Sequence, residues 1–132
     1  MENGDKIKKF NLMDRINSIH NALSGIVVMI KSEHNFRIHL FVFLLVIVAG
    51  ILLRISTAEW LVIIFVAGLV LVAECLNTAI EYLSDVISSE RHIKIKKAKD
   101  VAAAGVLISA IISVVTGILI FVPRIIRLIA SS

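Results

Sequence analysis

The run Ala73-Glu74-Cys75-Leu76-Asn77-Thr78-Ala79-Ile80-Glu81-Tyr82-Leu83-Ser84-Asp85 places carboxylates and an amide at the end of a long apolar stretch. Read as one α-helix, Glu74, Asn77, Thr78, Glu81 and Asp85 recur at spacings of three and four and share a face, while Cys75, Leu76, Ala79, Ile80 and Leu83 form an apolar face opposite. An ionisable group inside a membrane helix costs about 2.5–3.5 kcal/mol on insertion scales, so such a stripe reads as a functional site. The structural alternative is that these groups only pair with neighbouring helices. Glu33 and Glu81 are suited to sharing a magnesium ion, which takes one or two protein carboxylates and completes its octahedron with phosphate oxygens and water. Lys99 and its basic neighbours suit the phosphates of a nucleotide, and Glu74, deeper and desolvated, is placed to accept a proton from a hydroxyl on a lipid headgroup. Together these residues describe phosphoryl transfer, with the nucleotide arriving from water and the acceptor from the bilayer. The sequence has no Gly-rich phosphate loop, so spacing alone leaves a second class open. In that class the chain is a small, non-enzymatic oligomeric membrane protein whose Glu74 and Glu81 relay protons, which explains the stripe but not Glu33 and Lys99-Asp100 on the same side.

The composition dictates what must hold these residues. With 132 residues, 58% of them hydrophobic, a mean hydropathy of +0.95 and one proline, the chain is too apolar for a soluble domain of its size. The expected fold is all-α, an N-terminal amphipathic surface helix followed by three transmembrane helices. The net charge of +4 comes from basic residues beside apolar runs with no aromatic residues interleaved, a pattern suited to lipid headgroups or a nucleotide and not to nucleic acid. Cys75 is the only cysteine, so no intrachain disulfide can form. A removable signal peptide is not expected, because the first apolar run ends in no small-residue cleavage site.

Residues 1–13 are polar and basic and are expected to be flexible. From Asp14, read as an N-cap, the residues Ile16, Ile19, Leu23, Ile26, Val27 and Ile30 follow at helical spacing, predicting an interfacial helix over about 14–31. Gly25 within it suggests close backbone packing. Ser32 to Arg37 is read as a turn, and spans are predicted over about 36–55, 60–80 and 101–122, the last stopped by Pro123. Ala102 to Gly105 offer a small-residue packing face. Trp60 marks an interface, and the stretch from Ser88 to Asp100 is the largest hydrophilic connection. Lysines and arginines number six before the first span, one in the first loop, five in the second and two at the end. The positive-inside rule then puts the N-terminus and second loop in the cytoplasm, with Glu81 near that interface and Glu74 about 10 Å deeper.

The segment Glu74-Cys75-Leu76-Asn77-Thr78-Ala79-Ile80-Glu81, followed by Asp85 and by Lys99-Asp100-Val101-Ala102-Ala103-Ala104, resembles the signature of the bacterial integral-membrane diacylglycerol kinase family, whose Gram-positive-type branch includes undecaprenol kinases. Glu33-His34-Asn35-Phe36-Arg37-Ile38-His39 resembles the segment before the first span of those proteins. The resemblance implies one membrane kinase domain over 14–132, a homotrimer with sites built between subunits in the bacterial cytoplasmic membrane, and ATP and Mg2+ as co-substrate and cofactor. It implies Glu74 as catalytic base with Asn77 supporting the site, Glu33 and Glu81 as metal ligands, Lys99 and Asp100 against the nucleotide, and Glu90 and His92 near its adenine and ribose. On the surface helix, Arg15 matches an expected arginine one place out of register, Asn21 and Ala22 replace a tyrosine and a serine, and His39 stands where the enterobacterial enzymes have a carboxylate. These departures bear on the acceptor, for which diacylglycerol and undecaprenol both remain open. The other polar residues have simpler readings: His20 and His34 as interfacial polar groups, Lys94, Lys96 and Lys97 as a solvated basic run, Asp85 as a partner for Arg91 or Lys99, and Cys75 as packing.

Overall fold

The computed structural model describes residues 11–87 and 92–131, and among them it forms four helices and no strand. They are α1 (Leu12–Ser32), α2 (His34–Leu52), α3 (Thr57–Ile87) and α4 (Ile93–Ala130). The last three are long and apolar enough to cross a membrane. The surface helix starts earlier than the sequence suggests. Its N-cap is Asn11, whose side-chain oxygen accepts from the Met13 backbone N–H at 3.1 Å, while Asp14 falls in the first turn, where a negative charge suits the helix dipole. The expected turn from Ser32 to Arg37 shrinks to one extended residue, Glu33, which ends α1 and opens α2.

The α3 face that packs inward is Ile63, Val66, Val70, Glu74 and Thr78, all buried, so Glu74 continues the line of core valines and isoleucine. The main packing is α3 against α4, with α2 laid on α3 and α1 on α2. The apolar stripe of α1 stays open, Ile16, Ile19, Leu23 and Ile26 all being exposed, as an interfacial helix requires. Two packing expectations do not hold within the chain. A Cβ on Gly25 or Gly105 would meet nothing within 4 Å, and Ala103 and Ala104 are exposed. Close packing occurs instead at Gly50, where an added Cβ would lie 2.7 Å from Trp60 Cη2, so α2 and α3 touch where glycine leaves room for the indole.

Two further boundaries differ for reasons of tertiary structure. The helix α4 begins at Ile93, capped by His92 Nδ1, which accepts from the Lys94 backbone N–H at 3.3 Å, so Lys94 to Asp100 are helical and not part of a loop. It also runs through Pro123. Proline removes one backbone bond but need not stop an apolar helix whose next residues are anchored. Arg124 supplies that anchor. Its guanidinium pairs with Glu59 of α3 and donates from Nη1 to the carbonyls of Leu53 and Arg54, both at 3.2 Å. Glu59 also closes a capping box with Ser56, accepting from its backbone N–H at 2.6 Å and its hydroxyl at 2.7 Å.

Candidate active site

The site is built from the polar end of α3 and the first turns of α2. On α3, Glu74 is 3% exposed, Asn77 and Glu81 are half-buried, and Asp85 is exposed, so the stripe rises from the core to the surface within three turns. Asn77 Nδ2 donates to Glu81 Oε1 at 3.3 Å, joining the two half-buried members of the stripe. From the break between α1 and α2, Glu33 reaches α3, where its Oε1 accepts from the Tyr82 hydroxyl at 3.0 Å. Glu33 and Glu81 both lie within electrostatic range of Glu74. Three of the expected carboxylates therefore gather at one end of the bundle.

From α2 comes a residue that the sequence reading marks only by the carboxylate that the enterobacterial enzymes have in its place. His39 Nε2 lies 3.2 Å from Glu74 Oε1. The approach is not aligned as a hydrogen bond, and Glu74 Oε1 and Asn77 Oδ1 are buried without hydrogen-bond partners among the described residues. Polar atoms sealed at this depth cost free energy, so each calls for a partner or a role. They border a groove of about 420 Å³ lined by Asn35, Ile38, His39, Glu74, Asn77, Ala103, Val106, Leu107 and Ala110. Asn35 is a second residue that no spacing argument selects. The signal for both lies in the Glu33-to-His39 segment, whose polar residues lead into a membrane span.

The remaining expected residues are placed less centrally. Lys99 Nζ lies 3.1 Å from Asp85 Oδ1, one of the two pairings anticipated for Asp85, one turn beyond Glu81. Asp100 is exposed on α4, and His92 caps that helix through one ring nitrogen. Arg15 and Asn21 stand exposed on α1, outside the groove around Glu74. Glu90 and Arg91 lie outside the described residues.

A magnesium ion is tested by the donor set. Glu33 and Glu81 each engage one oxygen in a hydrogen bond and keep a second for a cation. Among the described residues no group of three or more metal-ligating side chains is assembled, which fits an ion that arrives with phosphate oxygens better than one held in an all-protein cage.

The comparisons with known proteins bear on most of the chain. An undecaprenol kinase of Bacillus subtilis is 38% identical over 107 residues, which is 81% of this chain and 87% of that protein. A diacylglycerol kinase of Synechocystis is 35% identical over 112 residues, covering 84% of this chain and 64% of its own length. One from Pseudomonas aeruginosa is 33% identical over 101 residues, covering 76% and 82%. The model of the family described as prokaryotic diacylglycerol kinase matches residues 20–121, a range that takes in Glu33, Glu74, Asn77, Glu81, Lys99 and Asp100, and the chain belongs to that family of membrane lipid kinases.

Proposed function

We propose that this protein transfers the γ-phosphoryl group of ATP to the hydroxyl of a long-chain membrane alcohol, with undecaprenol as the acceptor and undecaprenyl phosphate as the product. The observation that carries the reading is the buried Glu74, set with Asn35, His39 and Asn77 in a groove whose remaining walls are apolar, in a chain of this family. A carboxylate so placed meets a lipid hydroxyl from the bilayer side and a nucleotide from the end of the bundle. The hydroxyl oxygen attacks the γ-phosphorus, its proton passes to Glu74, and the bond to the β-phosphate oxygen breaks, leaving ADP. Asn77 donates to Glu81 and orients that carboxylate. Glu33 and Glu81 would hold magnesium, which when bound would neutralise charge on the phosphates. Lys99 at the rim, with Asp100, with His92 at the start of α4 and with Glu90, receives the nucleotide. This family assignment favours an enzyme over a passive proton relay.

The relative named undecaprenol kinase is 38% identical over 81% of this chain, whereas the diacylglycerol kinases of Synechocystis, Pseudomonas aeruginosa and Haemophilus influenzae, which match a comparable length, are 35%, 33% and 33% identical. That contrast favours the polyprenol over diacylglycerol, whose product would be phosphatidic acid. The reading also places the N-terminus and the site on the cytoplasmic side of the bacterial cytoplasmic membrane, and assembles the chain as a homotrimer in which a neighbour completes the open groove. The test is phosphate transfer by the purified protein in detergent micelles to each lipid in parallel. Faster transfer to undecaprenol is expected. Transfer to diacylglycerol alone would overturn the acceptor, and transfer to neither would overturn the reaction.

A further inference from the structure

Two grooves share one wall. The polar groove holding Glu74 and Asn77 shares Ile38, His39 and Ala110 with an apolar groove of about 240 Å³ that runs between α2, α3 and α4 past Phe43 and Val70. His39 is on the boundary, about one-quarter exposed, with Nε2 turned to Glu74 Oε1 at 3.2 Å. It is the only basic side chain of the described residues within 4.0 Å of Glu74. Oε1 is the sealed oxygen of that carboxylate.

We propose that His39 is a positioning residue: its Nε2, 3.2 Å from Oε1 but not yet aligned as a hydrogen bond, closes on Oε1 when the acceptor seats and so leaves Oε2 to face the acceptor hydroxyl where the two grooves join. The need is physical. A carboxylate used as a base must present one oxygen along the path of the departing proton, and free rotation about its last bond would spend part of the time presenting the wrong geometry. A partner on the other oxygen removes that freedom. Asn77 does not fill this role, since its amide is directed to Glu81. The proposal rests on Glu74 being the base of the transfer described above.

Three variants separate positioning from packing. His39→Gln keeps an N–H donor at a similar reach, His39→Phe keeps the ring volume without the donor, and His39→Ala keeps neither. Misplacement of a reacting group costs on the order of 10²-fold. His39→Phe and His39→Ala are therefore expected to lose about that factor in kcat with KM for ATP unchanged, and His39→Gln to recover most of it. Wild-type kcat in His39→Phe, or equal loss in Gln and Phe, would overturn the proposal. A second measurement needs no turnover: labelling of Glu74 by an apolar carbodiimide, followed by mass spectrometry of the folded fraction. Faster labelling is expected in His39→Phe than in the wild type, and equal rates would also overturn it. Absence of transfer by the wild-type protein would instead count against the proposed reaction, and the labelling result would still decide the role of His39.

Discussion

Both ends of the α2–α3–α4 bundle carry a glutamate on α3, and the two are treated in opposite ways. At the end with the α2–α3 turn, Glu59 accepts from the Ser56 backbone and hydroxyl and pairs with Arg124, which also donates to two carbonyls. At the other end, Glu74 is more deeply buried, faces one unaligned histidine and borders an open groove. The saturated carboxylate ties three elements together and has no bonding capacity left for a substrate. The unsaturated one is costly where it stands, which is the condition of a group kept for chemistry.

The contrast is broken most directly by Glu74→Gln, which keeps size and hydrogen bonding but removes the base. It is expected to lower kcat by roughly 10²–10⁴-fold, with KM for ATP and thermal stability little changed. A well-folded variant turning over near the wild-type rate would make Glu74 a second structural carboxylate. Next in size, Glu81→Gln should weaken apparent binding of magnesium-ATP by about tenfold, or ~1.4 kcal/mol, and a titration of the purified variant checks it. Unaltered affinity would move the metal elsewhere.

A smaller effect is expected at the opposite end. Arg124→Met should lower the unfolding midpoint in detergent by several degrees, because Glu59 and two carbonyls lose their partner, yet leave kcat of the folded protein as it was. A fall in kcat without loss of stability would mean that the two ends are coupled. The smallest effect is assigned to Lys99→Ala at the exposed rim, a few-fold rise in KM for ATP with KM for the lipid unchanged. If the lipid KM moved instead, Lys99 would belong to headgroup recognition.

Much of this division was legible in the chain. Glu74, Asn77 and Glu81 stand out because polar residues at helical spacing inside an apolar run are costly in a membrane unless they bond or react there, and the three spans follow from hydropathy alone. The pairs that define each end were not legible. His39 and Glu74 are 35 positions apart and Glu59 and Arg124 are 65 apart, and no local pattern reports a contact made only when helices pack. Pro123 misled for the same reason: its local rule is to end a helix, and the anchoring of Arg124 is a tertiary fact. Gly25 and Gly50 look alike in sequence, yet only Gly50 has a side chain against it.

The contact between Gly50 and Trp60 makes the helical hairpin a ruler. With that point fixed, His39 lies 11 residues back along α2 and Glu74 lies 14 residues on along α3, about 17 Å and 21 Å at 1.5 Å per residue. Their meeting is therefore encoded as two lengths measured from a common zero. Deleting one residue between Trp60 and Glu74 would shorten one arm by about 1.5 Å and turn the carboxylate about 100° around its helix axis, away from His39 and the groove. The same deletion beyond Arg127 falls outside both arms. Natural variation in chain length should accordingly accumulate in the last turns of α4 and be absent from the interval between residues 39 and 74.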